Sequence, residues 1–130
     1  MPDRAVAAAV IYAKDVAHLS AFYARVAGLT ITHAEAGHAS LESAALELFI
    51  VAPRADIAAT IQIARPPVPR ENTPLKFVFP VASLANARGL AAEGGGALKP
   101  AGAEWEFNGH RHCDGHDPEG NVFQLRERMA

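Results

Sequence analysis

Apolar positions along this chain follow two rhythms, a strand rhythm and a helical one, and the change from one to the other occurs twice. Residues 4–14, "RAVAAAVIYAK", form a short apolar run ending at a charged pair, which predicts a buried strand. Asp15 then stands where its carboxylate can accept backbone N–H groups of a first helical turn, and Val16, Leu19, Phe22, Tyr23 and Val26 repeat at helical spacing on one face. Gly28 supplies the stop. Residues 29–35, 38–43 and 45–52 are β-prone runs separated at "EAGH" and "ESA", breaks short enough for hairpins. The first part therefore reads βαβββ.

Residues 53–74 carry five prolines and several charges around "IAATIQIA", and predict a linker with at most one extended or edge strand. Beyond it the order repeats. "PLKFVFPV" reads as a strand, Ser83 as the cap of a helix over "LANARGLAAE", and the three glycines 94–96 as its end. "ALKP", "AEWEFNGHRHCDGH" and "NVFQLRER" supply three more strands, with "DPEGN" between the last two as a turn: Pro118 presets it, Gly120 takes positive φ, and Asp117 and Asn121 close it through side chains. Two copies of one pattern point to an internal duplication. Matching "ALEL" (45–48) with "VFQL" (122–125) makes Glu47 and Gln124 equivalent, and counting seven residues back from each helix cap makes Ala8 equivalent to Lys76.

Composition narrows the class. At 130 residues the chain is one ordinary domain able to bury roughly two-thirds of its unfolded surface. A single cysteine, Cys113, cannot form an internal bridge, which favours a reducing, cytoplasmic setting. Twelve basic against fourteen acidic residues, with no basic run, argue against nucleic acid. The N-terminal apolar stretch is cut at Lys14, far short of the ~20 residues of a membrane span. A soluble protein is the expectation.

The densest polar chemistry is "GHRHCDGH" (109–116). On an extended strand His110, His112, Asp114 and His116 share one face, with Arg111, Cys113 and Gly115 on the other. Histidines two apart can ligate one metal. The plainer reading is a cleft-lining strand with His116 at an exposed turn shoulder, because no second H-x-x-x-H or C-x-x-C set completes a tetrahedron. His110 and His112 could then orient a ligand or move a proton. Cys113 reads as a small buried residue, Trp105 and Phe107 as core by default, and His18 as solvated. His33, Glu35 and His38 surround a hairpin as surface or rim residues.

With "VIYAKDVAHLSAFYARVAGL" at one end, "DPEGNVFQLRE" at the other and the βαβββ repeat between, the chain resembles the vicinal-oxygen-chelate superfamily of glyoxalases, extradiol dioxygenases, fosfomycin-modifying enzymes and bleomycin-resistance proteins. The resemblance implies an α+β fold of two βαβββ modules, residues 4–53 and 74–128 joined by a linker at 54–73, whose curved mixed sheets form a cleft. It also implies a homodimer. In metal-dependent relatives the first and last strands of each module supply the ligands, which here fall on Ala8, Glu47, Lys76 and Gln124.

An alanine offers no donor and an ammonium repels a cation, so the usual metal site is expected to be absent. Lys76 is then read three ways: paired with Glu47, facing an anionic ligand, or reaching into solvent with its stem packed. The favoured expectation is a protein without cofactor that binds a small organic, anionic ligand in a cleft holding Tyr12, Glu47, Lys76, His110, His112 and Gln124. The alternative is a lyase or dioxygenase holding Zn, Fe, Mn or Ni through displaced ligands drawn from Glu47, His110, His112 and Gln124.

Overall fold

The computed structural model describes residues 5–130; Arg4, where the first strand is expected to start, lies outside the described residues. Strand β1 (Ala7–Tyr12) leads into helix α1 (Val16–Val26), followed by β2 (Thr30–Glu35), β3 (His38–Glu42) and β4 (Leu46–Val51). These form one sheet in the order β1-β4-β3-β2, with β1 parallel to β4 and the other pairs antiparallel. The helix begins as its sequence suggests: Asp15 Oδ1 accepts the His18 N–H at 3.0 Å, and Gly28 takes φ +70° just past its end.

The second half repeats this arrangement with two changes. After β5 (Phe77–Val81), α3 (Leu84–Glu93) is capped by Ser83 Oγ, which accepts the Asn86 N–H at 3.0 Å. The expected second strand is reduced to β6 (Ala97–Leu98), because Pro100 and a 3-10 turn at Ala101–Ala103 follow it at once. The expected single strand over 103–116 is instead a hairpin, β7 (Trp105–Phe107) and β8 (His110–His116). Asn108 and Gly109 both have positive φ, 50° and 76°, the conformation a two-residue hairpin turn of this type requires. Both β6 and β7 pair with β8, so together they occupy the place β2 holds in the first sheet. With β9 (Val122–Arg128) the order β5-β9-β8-β6 mirrors the first sheet, again with a parallel first pair. Pro80 sits on the edge strand β5, where its missing N–H costs least.

In the linker the expected strand is absent. Its one regular element among the described residues is a helical turn, α2 (Ala55–Ala58), and prolines deprive much of the remainder of ladder donors.

One core serves both halves. Leu19, Phe22, Tyr23 and Val26 of α1 pack with Leu41, Leu48 and Ile50 of the first sheet and Phe79, Phe123 and Leu125 of the second. The Phe22 ring meets Tyr23 and Phe123 edge-on at 5.3 and 5.8 Å, and Tyr23 lies 5.7 Å from Phe79. Each sheet thus spends one face on the core and leaves the other free of helices.

The "DPEGN" turn locks the two halves together. Asp117, fully buried, accepts from the Glu119 and Asn121 N–H groups, the Asn121 amide and the Tyr23 hydroxyl, at 2.7–3.1 Å. Burial pushes the Asp117 carboxyl above its ordinary value, against the pull of these four donors. Burial, then the neighbouring Asp117, raises the Tyr23 phenol well above its own. Glu119 reaches into the first half, where its two oxygens accept the Lys14 and Asp15 N–H groups at 2.9 and 2.8 Å. Among the described residues no helix is long and apolar enough to cross a membrane.

Candidate functional site

The free faces of the sheets can be read row by row from their ladders. On the first sheet Ala8 stands beside Glu47 and Glu42, Val10 beside Phe49, Ser40 and His33, and Tyr12 beside Val51, His38 and Glu35. On the second, Val78 stands beside Gln124 and Asp114, and Pro80 beside Arg126, His112 and Trp105; Arg128 pairs with His110, which pairs with Phe107. The register corrects one equivalence: Glu47 faces Ala8, but Gln124 faces Val78, so the counterpart of Ala8 is Val78 and Lys76 lies one pleat away. Counting back from the helix cap fails here because Ala8 precedes its cap, Asp15, by seven residues and Val78 precedes Ser83 by five.

The second sheet carries a continuous polar chain. The Lys76 ammonium donates to Asp114 Oδ2 at 3.0 Å, and does not pair with Glu47. Gln124 Nε2 donates to Asp114 Oδ1 at 3.0 Å, which turns Gln124 Oε1 toward His112 Nδ1, also at 3.0 Å. His112 Nε2 faces the Phe107 carbonyl at 3.2 Å. Only 7% of His112 is exposed, and its ring stacks on Trp105 with centroids 5.4 Å apart and planes 13° from parallel. The carboxylate accepts from two sides and the amide is used at both ends, so each link fixes the next.

Beside His112 on β9 lies Arg126, whose Nε is buried and has no hydrogen-bond partner among the described residues. An unpaired guanidinium N–H away from water is costly, and an acceptor supplied from outside would satisfy it. At the other end of the network a cavity of about 470 Å³ is lined by Lys76, Asp114 and His116 with Leu98, Lys99 and Glu71. Around this face and its cavity, Lys76, Lys99, Arg126 and Arg128 oppose two carboxylates, Asp114 and Glu71. On the free face of the first sheet Glu35, Glu42 and Glu47 lie among His33 and His38. One face is cationic and the other anionic.

The expected site residues are thus dispersed. Lys76, His112 and Gln124 belong to one bonded network, while His110 stands next to it with Nδ1 on the Asn108 carbonyl at 3.0 Å. Tyr12, 66% exposed, and Glu47 lie on the other sheet. Trp105 and Phe107 are 40% and 68% exposed on the free face instead of in the core, because the Asn108–Gly109 turn holds β7 beside β8. His116 is half-buried at the end of β8 and not an exposed shoulder, and His18, though exposed, bonds the Gly94 carbonyl at 2.8 Å. Cys113 is fully buried, and burial raises its thiol above the ordinary value. Arg126 escaped the sequence reading, although it lies two residues beyond Gln124 and therefore on the same face.

The side chains at the positions used by metal-dependent relatives do not fit an ion. Ala8 and Val78 have no donor atom, and both ends of the Gln124 amide are engaged. The displaced set fares no better within one chain. Among the described residues, the group of three or more His, Cys, Asp or Glu side chains whose ligand atoms all lie within 4.8 Å is His33, Glu35 and His38, not Glu47, His110 and His112.

The family profile of the glyoxalase-like domain matches residues 8–126. The chain belongs to the glyoxalase-like domain family. That family falls within the vicinal-oxygen-chelate superfamily, and solved structures agree on the fold. This glyoxalase-like chain is similar to a glyoxalase/bleomycin resistance protein/dioxygenase family enzyme from Burkholderia phytofirmans PsJN, with a TM-score of 0.68 and 19% identity over 94% of this chain and 97% of that one. A glyoxalase/bleomycin resistance protein from Albidiferax ferrireducens T118 superposes with a TM-score of 0.65 at 16% identity, covering 95% and 97%. A genomically encoded fosfomycin resistance protein from Listeria monocytogenes gives 0.60 at 14%, covering 98% and 93%. No curated protein sequence matches.

Proposed function

We propose that this glyoxalase-like protein binds a small organic anion, without a metal, on the free face of its second sheet. The observation that carries the reading is the buried, unpartnered Arg126 Nε beside the stacked His112 and Trp105. A carboxylate of the ligand pairs with Arg126 and a flat ring lies along Trp105. The Lys76 end, with its cavity, receives a second polar group, and Gln124 between them is held by His112 and Asp114. Such a site binds and orients; its chemistry contains no activated nucleophile.

The protein works in this reading as a cytoplasmic homodimer. Val10, Tyr12, Val78 and Phe107, each more than 40% exposed, together with the opposite charge of the two free faces, support pairing with a second copy.

Calorimetric titration with benzoate, salicylate and 1-naphthoate, set against the corresponding neutral amides, tests the ligand class. The acids are expected to bind at least about tenfold more tightly, a difference of ~1.4 kcal/mol, and to quench the single tryptophan, Trp105. Arg126→Met and Lys76→Met should each weaken binding while leaving the unfolding midpoint little changed. Equal affinity for acids and amides, or acid binding indifferent to Arg126→Met, would remove the anion site.

A further inference from the structure

We propose that the β2–β3 hairpin is a binding site for one divalent transition-metal ion, held by His33, Glu35 and His38. Their ligand atoms all lie within 4.8 Å of one another. The Glu35 carboxylate sits between the two imidazoles with one oxygen toward each: Oε2 is 3.4 Å from His33 Nε2 and Oε1 is 4.0 Å from His38 Nδ1. The two rings are 5.6 Å apart between centroids. Ligands at zinc distances of 2.0–2.2 Å around a tetrahedral ion are separated by roughly 3.4 Å. The His33–Glu35 pair already offers that spacing, and the other separations, none wider than 4.8 Å with one ligand atom per residue, reach it by closing up to about 1.4 Å through side-chain rotation.

Strand geometry explains why the three converge. His33 and Glu35 are two apart on β2 and so point the same way, and Glu35 is directly opposite His38 across the turn. His38 is held from behind, with Nε2 3.2 Å from Ser40 Oγ, which directs Nδ1 toward the carboxylate. Two imidazoles and one carboxylate are the donor set of zinc, nickel, cobalt or ferrous iron, not of calcium or magnesium, which prefer oxygen alone. Three protein ligands leave at least one position to solvent.

This place is distinct from the one that metal-dependent relatives use. It lies on the free face of the first sheet, but His38 and Glu42 are four residues apart on β3, and Glu42 stands opposite Glu47. His33 stands opposite Ser40, two residues from Glu42, so at ~3.4 Å per residue the hairpin ligands lie about 7 to 14 Å along the strands from the Glu47 row. Its consequence is structural: β2 is an edge strand exposed along its whole length, and an ion bridging it to β3 ties that edge down.

The test is calorimetric titration of untagged, chelator-stripped protein with Zn2+, and titration with Co2+ read by visible absorption. One ion per chain is expected, with a zinc-induced rise in melting temperature. His33→Ala and His38→Ala should each weaken binding at least tenfold, whereas the double substitution His110→Ala, His112→Ala should leave it unchanged. Circular dichroism checks the fold of the exposed hairpin variants. Absence of stoichiometric binding, or binding that survives both hairpin substitutions, overturns the proposal; zinc lost only with His110 and His112 places the ion on the second sheet instead. The organic-anion reading stands or falls separately, on the Arg126 titrations.

Discussion

Removing the Tyr23 hydroxyl tests whether the contact between α1 and the "DPEGN" turn carries stability or merely fills space. Tyr23 is 2% exposed and donates at 2.7 Å to Asp117, which is fully buried. A hydrogen bond to a charged acceptor contributes about 1.5–3 kcal/mol, and Tyr23→Phe leaves the ring packing against Phe22, Phe79 and Phe123 in place. Asp117 keeps three other donors, so the expected cost of Tyr23→Phe is about 2 kcal/mol. Asp117→Ala strands more: the Tyr23 hydroxyl and the Glu119 N–H are both buried, at about 1–3 kcal/mol each, partly offset because a carboxylate is no longer desolvated. A net loss of about 3 kcal/mol is expected. Urea unfolding of the two single variants and the double variant closes a cycle whose coupling should be about 1.5–2 kcal/mol. With a slope of about 1.5 kcal/mol per molar, Tyr23→Phe lowers the midpoint by somewhat more than 1 M. A coupling below about 0.5 kcal/mol would refute the assignment and leave Asp117 as a turn-closing residue alone.

Other expectations follow from the same contacts. Asp117 is raised in the folded chain above its ordinary 3.8, so the folded state holds that proton more tightly than the unfolded state does. Its contribution therefore grows as pH falls from the folded value toward 3.8, and the wild type should gain on Asp117→Asn over that window; a urea midpoint difference moving the other way sinks the reasoning. Glu119→Ala frees the Lys14 and Asp15 N–H groups and should cost about 1–3 kcal/mol, measured by denaturation. Gly96→Ala brings a methyl to 2.4 Å from the His116 carbonyl and 2.7 Å from the Phe22 ring, so a loss of at least about 1–3 kcal/mol is expected, and a melting temperature equal to wild type contradicts it. Cys113, fully buried with its thiol raised, should react with a disulfide reagent only as the protein opens, at a rate that rises with urea.

The repeated order was legible because its signals are local. Asp15, Ser83 and Gly28 fix helix ends through atoms within a few residues, and the spacing of Val16 to Val26 chose the buried face of α1. Two misreadings arose where a local signal was overlooked: Asn108–Gly109 is a strong hairpin turn inside what reads as one long polar strand, and Pro100 cuts the strand before it. The site was harder for a different reason. The alternation of His112 and Asp114 was visible, but pairing Lys76 with Asp114 depends on a β5/β9/β8 register that no single strand encodes. The His33, Glu35 and His38 convergence needed the turn at residues 36–37 to set the strands opposite one another. In the sequence Lys76 alone suggested an anionic ligand; the proposed site adds the unpartnered Arg126 Nε.

Glu119 and the residues it caps are 104 and 105 positions apart, which sets a timetable for synthesis. When α1 emerges from the ribosome, the carboxylate that secures its start and the Phe79 and Phe123 rings that cover its face have not been made. The first βαβββ unit must wait, partly uncovered, for the last turn of the second. A fragment ending after β4 is therefore expected to be a poor folding unit, and a late truncation to destabilise the first helix to emerge.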